Sequence, residues 1–154
     1  MARHTYDLSL RWTGNTGAGT SGYASYARDH ELTSGAKLIP GSSDPAFRGD
    51  GSRWNPEELL VASLSQCHLL WYLHLACASG VVVTAYADDP TGVMVEAGEA
   101  GGQFTEVVLR PTVHVRDESM REQAQALHAQ VGELCFIARS VNFPVRHRAT
   151  TLVS

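Results

Sequence analysis

Apolar and polar positions alternate through Tyr6-Asp7-Leu8-Ser9-Leu10-Arg11-Trp12, the period of a half-buried strand. GNTGAGTSG (14–22) is turn punctuation; it lacks the spacing of a phosphate loop and reads as connection only. A second strand is predicted from Tyr23 through Arg28 and His30 to Leu32, which makes a hairpin across that turn. Residues 33–54 hold two prolines and four glycines with little periodicity. They read as a long loop, of the kind that is functional or lies against a partner. It ends at Trp54, expected to staple onto the first turn of a helix.

That helix, NPEELLVASLSQCHLLWYLHLACAS (55–79), is the longest element the pattern predicts. Asn55 is a good N-cap, Pro56 suits the first helical position, Glu57 and Glu58 favour the positive end of the dipole, and Glu58 falls at the capping-box position. Gly80 marks the stop. Leu59, Leu60, Val61, Leu64, Leu69, Leu70, Trp71, Leu73 and Leu75 cover every side, which leaves a core helix or a membrane span. Ser63, Ser65, Gln66, His68 and His74 interrupt the run, no basic flank orients it, and such groups are costly in lipid. A buried central helix, with no membrane, is the reading.

Beyond it, VVVTAYA (81–87) is a strand, Asp88 to Gly92 a turn, and Val93–Val95 the return strand. Residues 97–102 form a second Gly-rich turn. Phe104 to Val115 reads as one longer strand, with Pro111 at a bulge or an edge. Ser119 and Glu122 form a capping box ahead of a helix that runs to about residue 131 and breaks at Gly132. A short helical piece follows over 134–138, Asn142-Phe143-Pro144 stops it, and Val145 to Val153 is a last strand. The order β-β-α-β-β-β-α-β, with antiparallel sheet and two main helices, is α+β.

At 154 residues the chain fits one domain, residues 1–154. A net charge of −4 with scattered arginines gives no footprint for nucleic acid. The N-terminus has no continuous apolar run of a signal peptide. Three cysteines do not make a disulfide framework. The expected compartment is the cytoplasm, where cysteines are thiols unless engaged in redox work.

Cys67 lies mid-helix and Cys135 at the end of the second helical region. Asn55-Pro56-Glu57 with a cysteine ten residues after the glutamate, and a second cysteine late in the chain, resembles the osmotically inducible protein C / organic hydroperoxide resistance (OsmC/Ohr) family. The element order agrees over nearly the whole length. The resemblance implies an intertwined homodimer with antiparallel sheets on two main helices and active sites shared between chains. It implies a thiol-dependent peroxidase for organic hydroperoxides, and more weakly for hydrogen peroxide, acting in oxidative stress defence. Cys67 would attack the peroxide, Cys135 would resolve the sulfenic acid as a disulfide, and a dithiol reductant, a lipoyl protein among the candidates, would restore both. No cofactor and no metal are implied.

The resemblance also gives Glu57 a role, holding an active-site arginine. The physical need is clear, because peroxide attack requires a thiolate and a buried thiol resists ionising without a nearby cation. Arg48, in the connection before the helix, is the first choice; Arg28 is the alternative; Arg53 is too close to the cap. Ten residues separate Glu57 from Cys67 by roughly 15 Å along a helix, so a shared site takes Glu57 from another copy of the chain.

Two features depart from the family pattern: Phe136 stands where members often carry proline, and Cys77 is extra, expected as a small packed residue. His74, seven residues beyond Cys67, is expected as a hydrogen-bonded core histidine. Two other classes stay open. One is a metal-binding protein using Cys67, His74 and Cys135, with His68 in reserve, although no closely spaced Cys/His pair matches a zinc pattern. The other is a non-catalytic module holding an apolar ligand on the same fold.

Overall fold

The computed structural model describes residues 1–154, which form two compact units, Met1–Leu59 and Leu60–Ser154. In the first, β1 (Ser9–Trp12), β2 (His30–Ser34) and β3 (Lys37–Gly41) make an antiparallel sheet in that order. Leu10, Leu32 and Ile39 stand in register across it. The β1–β2 hairpin is present, but β1 is shorter than the alternation suggests and all four of its residues are exposed. The stretch from Tyr23 to Arg28 is not strand. Its backbone oxygens serve side chains instead: Ala27 O accepts from Trp12 Nε1 at 2.9 Å, and the Arg28 guanidinium donates to Tyr23 O and Tyr26 O.

The supposed loop of 33–54 contains β3 and a 3-10 turn at Pro45–Phe47. Gly35, at φ +60°, turns the chain tightly enough for Ser34 to pair with Lys37. Pro40 hid this strand, yet β3 lies at the edge of its sheet, where a missing N–H is tolerated. Trp54 does not bury its ring as a staple; the side chain is half exposed, and its backbone is tied to Pro40 and Ser42.

Helix α1 spans Pro56–Ala78. Asn55 Oδ1 accepts from Glu58 N at 2.8 Å and Glu58 Oε2 accepts from Asn55 N at 3.2 Å, the reciprocal capping box expected. At the other end Gly80 adopts φ +76°, with Val81 N donating to Ala76 O and Gly80 N to Cys77 O. That is the Schellman arrangement, which glycine enters without a Cβ penalty. The helix is less buried than its composition suggests. Leu64, His68, Tyr72 and Ala76, one every four residues, are its buried positions, while Leu70 and Leu73 are exposed. It is long and apolar enough to cross a bilayer, but its buried stripe packs into the protein core.

The remaining elements are β4 (Val83–Asp88), β5 (Thr91–Glu96), β6 (Gly102–Leu109), β7 (Pro111–Val115), α2 (Arg121–Leu134), β8 (Val145–His147) and β9 (Thr150–Val153). They form two three-stranded sheets, β4-β7-β9 and β5-β6-β8. The expected β4–β5 hairpin is absent: β4 pairs with β7, and β5 with β6. The two long strands predicted for 104–115 and 145–153 each divide at a kink and pass from one sheet to the other. Their halves run parallel, β8 on β6 and β9 on β7, so the sheets are mixed rather than wholly antiparallel. Asp88 stabilises the first kink, its carboxylate accepting from Arg110 N at 2.6 Å. At the second, Arg148 N donates to Leu109 O. Pro111 opens β7, the one position in a central strand where its missing donor does no harm.

Helix α2 also departs from expectation. Its chain enters through a 3-10 turn at Glu118–Met120 with no side-chain cap, so the Ser119–Glu122 box does not form. Gly132 stays inside the helix, whose buried face is Ala124, Leu127, His128 and Val131. The helix ends at Cys135, extended at ψ 115°, and the predicted helical piece shrinks to a 3-10 turn at Ala138–Ser140. Tyr72 and Ala76 of α1 join Val113, Val115, Leu127 and Val131 in one core cluster; Leu64 joins Val107 and Leu109 in another. Gly92 lets β5 run close beneath α1, since a Cβ there would lie 2.6 Å from Val61 Cγ2.

Candidate active site

Cys67 faces out from the middle of α1, half-buried, and Cys135 is buried where α2 ends. The two are brought together: Cys67 lies near enough to Cys135 to perturb its thiol. The extended backbone of Cys135 turns the chain back over its own sulfur, and Ala138 N donates to Sγ at 3.4 Å. Burial pushes the Cys135 thiol up to about 11, with the neighbouring Cys67 adding to the rise and the Ala138 N–H opposing it. At neutral pH Cys135 is therefore a protonated thiol, able to donate to its neighbour. Two neighbouring thiols can be joined by a disulfide when one is oxidised.

A cavity of about 20 Å³, room for a water, opens beside Cys135. Among its lining groups are His68, Arg146 and His147. Arg146 Nε is already turned toward Glu106 Oε2 at 3.3 Å. His68, not His74, proves to be the core histidine. Its Nε2 lies 2.9 Å from His128 Nδ1, in a buried stack that continues onto Tyr72. Burial holds His68 down to about 4, with His147 adding and Asp88 opposing; burial, then His68 and His147, hold His128 down to about 3. Both rings are neutral at pH 7. The signal in the sequence was the spacing Leu64-His68-Tyr72-Ala76, which sets His68 on the buried stripe.

His74 is exposed and meets the edge of Trp71 at 5.7 Å, while Phe136 meets Trp71 at 5.4 Å. An apolar surface of Leu70, Trp71 and His74 thus lies on α1, one turn past Cys67. Cys77, expected as packing, is exposed. No three His, Cys, Asp or Glu side chains come together as a metal would need, so Cys67, His74 and Cys135 do not form the ligand set considered from the sequence.

The remaining candidates lie in the first unit or at its end. Glu57, half-buried in the first turn of α1, forms no salt bridge. Arg28 is engaged: besides its two carbonyl bonds, its guanidinium packs 3.9 Å from the Tyr26 ring centre and 4.5 Å from that of Tyr23. Arg53 donates to Gly41 O and His30 O. Arg48 is different. It is exposed, makes no side-chain hydrogen bond, and approaches only the Tyr23 ring, at 5.8 Å. Its backbone sits at φ +64°, the sole non-glycine in the left-handed region. Such a residue is held there by its surroundings, here the loop in which Gly49 N and Phe47 N both donate to Asp44 O.

The family model described as OsmC-like protein matches residues 49–149, from just before the Asn-Pro-Glu cap to beyond Cys135. The chain belongs to the OsmC-like family. An OsmC-like protein of unknown function from Vibrio cholerae is 27% identical, covering 96% of this chain and 99% of its own, with a TM-score of 0.85. Two more distant structures share the OsmC-like fold. One is an organic hydroperoxide resistance protein OsmC from Legionella pneumophila (17% identity, 98% of each chain, TM-score 0.66). The other is an organic hydroperoxide resistance protein from Elizabethkingia anophelis (15%, 99% and 100%, TM-score 0.69). No curated protein sequence matches the chain.

Proposed function

We propose that this OsmC-like chain is a thiol-dependent peroxidase that reduces organic hydroperoxides to alcohols. The observation that carries the reading is the proximity of Cys67 to the buried Cys135 thiol. The Cys67 thiolate attacks the outer peroxide oxygen, the O–O bond breaks, and the alcohol leaves as Cys67 becomes a sulfenic acid. Cys135 then displaces the hydroxyl to give a disulfide and water, and an external dithiol, a lipoyl protein among the candidates, reduces it. Relatives of the same fold that are described as organic hydroperoxide resistance proteins support the substrate class. So does the apolar surface of Leu70 and Trp71, suited to the hydrocarbon part of such a peroxide.

The thiolate needs a cation. Arg48, uncommitted and held in a left-handed conformation, fits that role better than Arg28, whose donors are in use. Glu57 would orient it through a bidentate pair, supplied by the second chain of a homodimer. Exposed Tyr6, Leu8, Leu10 and Leu70 give that dimer apolar surface to bury. The test is consumption of cumene hydroperoxide and hydrogen peroxide side by side, with a dithiol reductant. Faster turnover of the organic peroxide is expected; no turnover of either overturns the assignment.

A further inference from the structure

The histidine pair next to the cysteines is not explained by packing alone. His128 is 0% exposed and its Nε2 has no hydrogen-bond partner, a costly state for a buried polar atom. His68 spends Nε2 on His128, and its Nδ1 has no protein partner. The ring lines the water-sized cavity that Cys135 also lines, so a water held there would have both residues as neighbours. Cys135, a thiol held protonated by its surroundings, must lose its proton to form a disulfide.

We propose that His68, oriented by His128, is the proton relay through which Cys135 closes the disulfide on oxidised Cys67. The inference rests on the two-cysteine reading above. In this step the Cys135 sulfur attacks the sulfenic sulfur of Cys67. The S–S bond forms, the S–O bond breaks, and the hydroxide departs with the electron pair. The proton of Cys135 passes by way of the water and His68 Nδ1 to that hydroxide, which leaves as water. Cys135 sulfur is oxidised, the sulfenic sulfur is reduced, and the imidazole ends neutral. For Nδ1 to accept, His68 must carry its proton on Nε2 and donate to His128 Nδ1. His128 then carries its proton on Nε2, the orphaned atom.

The titratable and charged groups around His68 are His128 on α2, Cys135 at its end, Asp88 on β4, and Arg146 and His147 on β8. With His68 neutral throughout, the relay works equally well from pH 5.5 to 8. The experiment reacts reduced protein with one equivalent of cumene hydroperoxide. It follows sulfenic acid formation and disulfide formation separately, at several pH values in that range. Wild type should close the disulfide at a rate that hardly changes with pH. His68→Gln should form the sulfenic acid but close the disulfide at least about tenfold more slowly at pH 7, in the range expected for loss of a proton acceptor. Its rate should climb about tenfold per pH unit, because closure then waits for the Cys135 thiolate. His128→Phe keeps a ring against Tyr72 but frees His68; closure should slow while staying flat with pH, and it carries the test if the first variant does not fold. An unchanged closure rate in either folded variant overturns the relay, as does a wild-type rate that climbs tenfold per pH unit. Nitrogen-15 spectra of the reduced wild type should show His68 Nδ1 bare; a protonated Nδ1 also overturns it. If wild type forms no disulfide at all, the two-cysteine reading itself falls and the relay with it.

Discussion

Tyr72 lays its ring on His128, centroids 4.3 Å apart and planes 16° from parallel, and donates its hydroxyl to Ala124 O at 3.0 Å. One side chain of α1 thereby ties down both a ring and a carbonyl of α2. Tyr72→Phe should keep the stack and lose the bond, costing about 1 kcal/mol. Tyr72→Ala should cost about 3–5 kcal/mol, since the site is closed on all sides. Urea unfolding of the two variants measures the difference.

Acid should weaken this same region. His68 and His128 titrate at about 4 and about 3 when folded, but near 6.5 in an unfolded chain. Their folded values are depressed, so the unfolded state binds more protons below pH 6.5 and stability falls as pH drops from there toward 4. Above pH 7 they add no pH dependence. With both rings contributing, the slope approaches about 2–3 kcal/mol per pH unit. Thermal unfolding from pH 7.5 to 4.5 should show that decline, and His128→Phe should flatten it.

Asp88 holds the sheet-to-sheet kink, accepting from Ser65 Oγ at 2.5 Å as well as from Arg110 N. Asp88→Ala leaves that backbone N–H without its partner and should cost about 1–3 kcal/mol. Ser65→Ala, which leaves the kink bond in place, should cost less. A reversed order in denaturant melts would place the stabilising interaction on α1 instead of at the kink.

Much of α1 was legible in the sequence because its signals are local. Asn55, Glu58 and Gly80 act within one turn of their own positions, and each does what its chemistry dictates. The β3 strand was hidden by Pro40, whose cost vanishes only because the sheet happens to end there. The division of 104–115 between two sheets depends on Asp88, some twenty residues from the kink it satisfies, and that of 145–153 on the bond from Arg148 N to Leu109 O; no periodicity reveals either. In the candidate site, Cys67 and Cys135 are neighbours, and the disulfide that the family resemblance implied is the subject of the mass measurement below. The histidine was misplaced: His74 lies two helical turns beyond Cys67, but burial follows the stripe of Leu64, Tyr72 and Ala76, which selects His68.

If Arg48 activates Cys67 across a dimer, Arg48→Gln should slow the attack on cumene hydroperoxide by about tenfold or more, because the thiolate loses its cation. Arg28→Gln should cost stability instead, since its donors hold Tyr23 O and Tyr26 O. Light scattering should give about twice the 16.7 kDa of one chain. Stopped-flow kinetics that reverse the two arginines would transfer the role to Arg28, and an active monomer would end the shared-site account.

The most direct measurement is intact mass after one equivalent of cumene hydroperoxide. Wild type should lose two hydrogens as Cys67 and Cys135 join. Cys135→Ser should gain one oxygen, and a second under excess peroxide as the sulfenic acid goes on to sulfinic. Cys67→Ser should remain unchanged, and Cys77→Ser should behave as wild type. A wild-type protein that keeps its reduced mass, or that forms a disulfide through Cys77, would contradict the account.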